Sequence, residues 1–178
     1  MGRKSILIMK TILVCGGTGF IGHHLARTLK KQGHKVIVAD IVDHNYADVK
    51  TYCDHFEEVD LRSVWAWRTL AEYNPDEVYQ LAADMGGAGF VFTGENDYEI
   101  MENSAQINLH CIKYAVHYGW KVFYSSSACM YPEYNQKDPL NPKCSEDSAY
   151  PAAPDSEYGW EKLFSERMYL AAHRNKGL

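Results

Sequence analysis

Apolar and polar positions along this chain follow two periods that take turns. Residues 11–15 (Thr-Ile-Leu-Val-Cys) are a short, almost unbroken apolar run, the pattern of a strand covered on both faces. Glycines follow, and Phe20, Ile21, Leu25, Ala26 and Leu29 then recur at helical spacing until Gly33 ends the pattern. A second strand is predicted at 35–39, a loop at 43–54 and a weaker third strand at 55–59. Ser63 is a candidate N-cap for a helix running to residue 73, Asn74-Pro75 breaks it, and 77–82 reads as strand four. After a Gly-rich loop at 84–97, a helix over 98–118 places Ile100, Ile107, Cys111 and Tyr114 on one side; Gly119 ends it and 121–124 is strand five. A second long loop, 131–154, is dense in proline and polar residues. The last helix, 155–175, repeats Trp160, Leu163, Phe164, Met168 and Ala171 at steps of three and four, with Gly177 as a stop. Strands alternating with helices imply an α/β fold. Right-handed crossovers from such a start give a Rossmann-type, doubly wound parallel sheet of order 3-2-1-4-5.

The first strand–turn–helix is where chemistry enters. Gly16-Gly17-Thr18-Gly19-Phe20-Ile21-Gly22 follows the strand directly. Glycines at these places allow a sharp turn and close approach of a pyrophosphate, while the helix N-terminus presents amides backed by the helix dipole. A glycine-rich turn alone is also an ordinary way to join a strand to a helix. Here the second strand ends in Asp40, at the roughly 20-residue separation of an acid that takes the ribose hydroxyls of NAD. Gly16, Gly19, Phe20, Ile21, Gly22 and Asp40 are therefore candidate NAD-binding residues. In such a sheet ligands lie beyond the carboxyl ends of the strands. Asp60-Leu61, Leu81-Ala82-Ala83 and Ser125-Ser126-Ser127 leave from that same edge, together with both long loops.

At 178 residues one domain over 1–178 is the economical reading. No apolar run reaches membrane-spanning length, and Ile6-Leu7-Ile8-Met9 is too short for a signal-peptide core, so a soluble protein is expected. Met9 is an alternative start. A formal net charge of −5 with scattered basic residues argues against a nucleic-acid surface. The five cysteines have no metal-type spacing, which predicts no metal site, and suit a reducing cytoplasm.

Tyr158 and Lys162 stand four apart on the last helix and so share a face. An ammonium beside a phenol favours the phenolate, lowering a tyrosine pKa that is ordinarily about 10. Such a tyrosine can move a sugar hydroxyl proton while hydride passes to or from a nicotinamide, and a serine from the 125–127 cluster can complete the relay. Tyrosine and lysine at this spacing are also common on helices with no such role. Cys129, just after the serines, is a small buried hydrophobe on its residue type alone and an acid/base if the site favours its thiolate.

Together, the glycine motif, Leu81-Ala82-Ala83, the serine cluster and Tyr158 with Lys162 resemble the extended short-chain dehydrogenase/reductases that act on nucleotide sugars. Ala83-Asp84-Met85-Gly86-Gly87 with Gly89-Phe90, the stretch 126–133 (Ser-Ser-Ala-Cys-Met-Tyr-Pro-Glu) and the segment 151–163 are similar to the branch that epimerises GDP-mannose at C3 and C5. The resemblance runs from residue 11 to the end. It implies NAD on the glycine turn and transient oxidation at C4 of the hexose, with Tyr158 as base and Lys162 beside it. Cys129 is implied as an acid/base at C3 and C5, Ser127 at the C4 oxygen, and Ser126, Met85, Gly86 and Gly87 against the sugar. A homodimer through the helices at 98–118 and 155–175 is implied as well. Glu157 departs from the small residue expected before the tyrosine, and members of the family are about twice this length. The chain is accordingly expected to be the cofactor-binding half, with the substrate domain, a second proton-transfer lysine and most nucleotide contacts outside it. The alternatives are another enzyme of the family (a GDP-fucose synthase-like enzyme, a 4-epimerase or a 4,6-dehydratase) or a non-catalytic dinucleotide-binding module.

Overall fold

The computed structural model describes residues 8–43, 46–138, 140 and 143–178; Ile6 and Leu7 lie outside these. The sheet consists of β1 (Thr11–Cys15), β2 (Lys35–Asp40), β3 (His55–Glu58), β4 (Glu77–Gln80) and β5 (Lys121–Tyr124), all parallel, in the order β3-β2-β1-β4-β5. The strand order expected from the alternation is the one found.

The apolar run of β1 is explained by its place at the centre. Ile12 and Val14 pack with Val36, Val38, Ala26 and Leu29, under α1 (Phe20–Lys31). Leu13 and Cys15 point the other way, into the larger core. Two helices that pack there are α2 (Val64–Ala71), through Trp67 and Leu70, and α4 (Asp97–Tyr118), through Ile107, Cys111 and Ala115; α3 is a single turn at Ala88–Val91. Connections therefore leave β1 and β4 on opposite faces, which opens a crevice between the two strands at their carboxyl ends. The register brings those ends level: Cys15 pairs with Ala39 and Gln80, Asp40 with Glu58, and Gln80 with Tyr124.

Helix boundaries follow from local chemistry. The Ser63 side chain accepts the Trp65 amide at the start of α2. Gly33, at φ 88°, follows α1, and Gly119, at φ 74°, caps α4. The final helix, α6 (Glu157–Lys176), is capped by Ser156, whose hydroxyl accepts the Gly159 amide. The three segments expected to be loops contain short helical turns: a 3-10 turn at Val49–Thr51 in the first, α3 in the second, and α5 (Glu133–Gln136) with a 3-10 turn at Glu146–Ala149 in the third; another 3-10 turn, Ala128–Met130, just precedes the third. Single turns of this length carry too few residues to print a period in the sequence.

The apolar stripe of α6 divides between two sides of the helix. Leu163 is buried and Met168 packs on the core, but Trp160 and Phe164 are exposed. The buried side carries Tyr158, Gly159, Glu161, Lys162, Ser165 and Tyr169 instead. Polar partners inside the fold, not apolar area, decide which side of this helix turns inward. Among the described residues no helix is long and apolar enough to cross a membrane.

Candidate functional site

A cleft of about 700 Å³ opens at the carboxyl edge of the sheet. Gly16, Gly19, Phe20, Ile21 and Gly22 form one wall; Asp40, Asp60 and Leu61 form the end under β2 and β3. Leu81, Ala82, Ala83 and Met85 come from the segment after β4, and Ser126, Tyr158 and Lys162 from beyond β5. These candidate residues thus share one cavity although they span most of the chain. Gly86, Gly87, Ser127 and Cys129 do not line it; the two glycines follow Met85, and Gly87 is the N-cap of α3. A slightly larger hollow of about 740 Å³ lies at the outer edge of the sheet beside β3 and holds none of the candidate residues, so size alone does not pick the site.

The glycine wall has the shape a dinucleotide needs. A Cβ on Gly22 would fall 2.2 Å from the Gly16 carbonyl oxygen, and one on Gly16, at φ 72°, would fall 2.8 Å from the Ala82 amide nitrogen. Only glycine allows a turn this tight. Gly19 caps α1 without any side-chain hydrogen bond, so the first-turn amides of that helix keep the donor capacity that an anion uses. Asp40 holds the turn to β2: one carboxylate oxygen accepts from the Thr18 amide (3.0 Å) and hydroxyl (2.8 Å), the other from the Ile41 amide (2.8 Å). A carboxylate has room for further donors, such as ribose hydroxyls. The residues present fit a dinucleotide.

Two residues missed in the sequence close the other side of the cleft. Arg62 grips Asp60 with both nitrogens of its fork (2.9 and 2.7 Å) and donates to Asn103 Oδ1 at 2.8 Å; Asn103 in turn donates to Asp84 at 2.6 Å. The Arg62 guanidinium holds the Asp60 carboxyl below its ordinary value of 3.8. The adjacency of Arg62 to Asp60-Leu61 was a usable signal; the approach of Asn103 from α4 was not.

The polar cluster at the α6 end is built by close approach. Gly159 brings the helix against the Ala128–Met130 turn: a Cβ there would sit 2.2 Å from the Cys129 carbonyl oxygen. Ser127 caps that turn by accepting the Cys129 amide at 3.2 Å, and Ser126 donates to Met130 Sδ at 3.1 Å. Gln136 on α5 braces it by donating to the Ala128 and Tyr131 carbonyls, both at 3.3 Å. Cys129, half-buried, packs with Tyr158, Val91, Ile100 and Phe90. The Tyr158 hydroxyl lies 3.9 Å from Met85 Sδ, and the Ser127 side chain is near enough to draw the phenol down. Tyr158, Ser127, Cys129 and Met85 are thus together. Glu157, the departure noted in the sequence, is exposed on the first turn of α6, where a carboxylate suits the helix dipole.

The expectation that Lys162 draws the Tyr158 pKa down is overturned. Burial pushes the phenol above its ordinary value of 10, the Ser127 side chain pulls it partly back, and Cys129 and Glu161 push it up. Lys162 is itself lowered by burial, with Glu161 opposing. Its ammonium donates to the Ser125 carbonyl at 3.1 Å and stands 5.6 Å from the Tyr158 ring centre. Desolvation therefore outweighs the lysine. Among the described residues no group of three or more His, Cys, Asp or Glu is placed to hold a metal ion.

Comparison with known proteins was made on this frame. The model of the NAD dependent epimerase/dehydratase family matches residues 12–178. The GDP-mannose 3,5-epimerase of Arabidopsis thaliana is 42% identical over 166 residues, which are 93% of this chain and 43% of that protein. A UDP-glucose 4-epimerase of Neisseria meningitidis serogroup C is 32% identical over 90% of this chain and 47% of its own. Among solved structures, the UDP-glucose 4-epimerase of Thermotoga maritima with UDP-glucose superposes with a TM-score of 0.80 at 26% identity, covering 94% of this chain and 52% of that one. The Brucella ovis UDP-glucose 4-epimerase in complex with NAD gives 0.77 at 26% identity, covering 95% and 49%. The chain spans about half the length of the relatives it matches.

Proposed function

Because this chain belongs to the NAD dependent epimerase/dehydratase family, we propose that it is the NAD-binding, proton-handling half of a nucleotide-sugar epimerase that acts at C3 and C5 of GDP-mannose. The observation that carries this reading is that Cys129 and Ser127 gather on Tyr158, which with Met85 lines the dinucleotide cleft. The 42% identity to a GDP-mannose 3,5-epimerase supports the substrate. When bound, NAD supplies the hydride acceptor and a positive ring charge. The chain's own residues do the rest. Tyr158, once that ring charge offsets the burial and draws its phenol to the phenolate, takes the C4 hydroxyl proton, with Ser127 holding its oxygen. Lys162 supplies the positive charge behind the phenol, tethered to Ser125. With C4 as a ketone, the C3 and C5 protons become acidic, and Cys129 exchanges one of them. The opposite-face proton and most of the nucleotide grip are assigned to residues outside this chain. Net epimerisation by the isolated chain should therefore be negligible, since inversion needs the opposite-face proton and losing remote binding energy lowers rate as well as affinity, while slow exchange at the carbon served by Cys129 remains.

A homodimer is part of the same reading. Trp160 and Phe164 on α6 and Tyr98 and Leu109 on α4 are exposed, and a second copy is the partner that covers them. Sedimentation showing a monomer at tens of micromolar, where a dimer with Kd below about 1 μM persists, would contradict it.

The function is tested by incubating the chain with NAD and GDP-mannose in deuterium oxide. Deuterium should enter the hexose at C3 or C5, and Cys129→Ser should abolish entry while leaving NAD bound. A 4-epimerase would leave both positions unlabelled.

A further inference from the structure

Helix α6 hides a carboxylate where its sequence offers exposed aromatics. Glu161 is fully buried, next to Lys162, which is 3% exposed. Its Oε1 accepts from Asn108 Nδ2 at 3.0 Å and from the Ser165 hydroxyl at 2.5 Å; its Oε2, equally buried, meets no donor. Asn108 continues the chain of bonds, accepting on Oδ1 from Gln80 Nε2 (3.0 Å) and from the Tyr169 hydroxyl (3.2 Å). One polar thread therefore runs from β4 through α4 to α6. A buried carboxylate with one oxygen unpartnered is costly as an anion unless a neighbouring cation offsets it, and is otherwise driven to take up a proton.

The groups around this pair come from four elements. Tyr124 on β5 has the Lys162 ammonium 5.1 Å from its ring centre and stacks on Tyr169 at 4.8 Å. Tyr158 lies on the cleft side, Cys111 of α4 and Cys15 of β1 lie beneath Tyr169, and Glu166 acts on Tyr124 from further along α6. Burial keeps the phenols of Tyr124, Tyr158 and Tyr169 and the thiol of Cys15 protonated well beyond neutrality, and pushes Cys111 to about 12. The group left to face Lys162 with a negative charge is the Glu161 carboxyl. Burial raises Glu161, while Ser165, Lys162 and Asn108 draw it back; the same burial lowers Lys162 and Glu161 raises it.

We propose that Glu161 is a positioning residue for the Tyr158–Lys162 pair: a buried anion, anchored to α4 through Asn108, that holds Lys162 as an ammonium at the cleft. The importance of Lys162 rests on the proposed function; its charge and the anchor do not.

The test follows the Lys162 titration in the whole chain by NMR of 13Cε-labelled lysine, the signal being identified by its loss in Lys162→Arg. Glu161→Gln should lower the Lys162 midpoint by about one pH unit or more, and Glu161→Asp, which keeps the charge, should restore most of it. An unchanged midpoint in a folded Glu161→Gln chain overturns the proposal, leaving the glutamate a packing contact. Should Glu161→Gln fail to fold, 13Cδ-labelled glutamate in the wild-type chain decides the matter: Glu161 ionised at pH 7 supports the proposal, and Glu161 protonated there overturns it. Neither measurement uses NAD or substrate. A normal titration with no deuterium exchange would count against the proposed function and leave Glu161 in place.

Discussion

The glycine turn and the Tyr158 cluster border one cleft but are built in different ways. At the turn the contacts that matter are backbone: Gly16 and Gly22 are held too close for any Cβ, and Asp40 ties the Thr18 amide to the end of β2. At the cluster they are side chains gathered from β4, α4, β5 and α6, with Glu161, Lys162, Ser165 and Asn108 buried among them. A backbone cradle depends on the course of the main chain at the turn and at the ends of β2 and β4 beside it. A side-chain cluster depends on how helices distant in sequence are seated. The two should therefore fail separately.

The largest separate failure is expected at the turn. Gly22→Val places a branched side chain 2.2 Å from the Gly16 oxygen and should abolish NAD binding, by more than 100-fold in a calorimetric titration. The Lys162 titration should persist if the cluster is independent; its loss together with NAD binding would merge the two regions into one unit.

Gly159→Ala is the converse. It forces the Cys129 turn away from α6 and should cost about 1–3 kcal/mol of stability in a urea melt, as overpacking does. Deuterium exchange should be lost while NAD affinity changes by only a few-fold. An equal loss of NAD affinity would show that the turn and the cluster are not separable.

Arg62→Ala probes the seam between them and should have the smallest effect. Asp60 is held below its ordinary value by Arg62, so the pair stabilises the fold above about pH 3.8 and ceases to do so as pH falls through the lowered value. Both side chains are 43–46% exposed, so the loss at pH 7 should stay under about 1 kcal/mol. Melts of the two chains should converge near pH 3 and separate at pH 7; a difference that persists at low pH would assign Arg62 another role.

The same contrast explains what the sequence made legible. Strand order, the glycine turn and Asp40 could be read because each depends on short-range pattern: an apolar run, three glycines and an acid after the second strand. The α6 cluster could be read only as far as residue types and the family resemblance reached. Spacing gave the period of α6 but not its inward side, which Glu161 and Ser165 share because Asn108 and Tyr169 supply partners that no periodicity records. The pKa of Tyr158 was misjudged for a related reason: spacing shows that a lysine is near but not how dry the pair is.

The account stands most directly on NAD recognition by the turn and Asp40. Titrating the chain with NADH and NADPH, followed by nicotinamide fluorescence, compares the two at one site. A carboxylate that accepts ribose hydroxyls repels a 2′-phosphate, so NADH should bind at least about 10-fold more tightly, a difference of about 1.4 kcal/mol. Asp40→Ala should weaken NADH and narrow the gap. NADPH binding as tightly as NADH, or no binding of either by the folded chain at millimolar concentration, would contradict it.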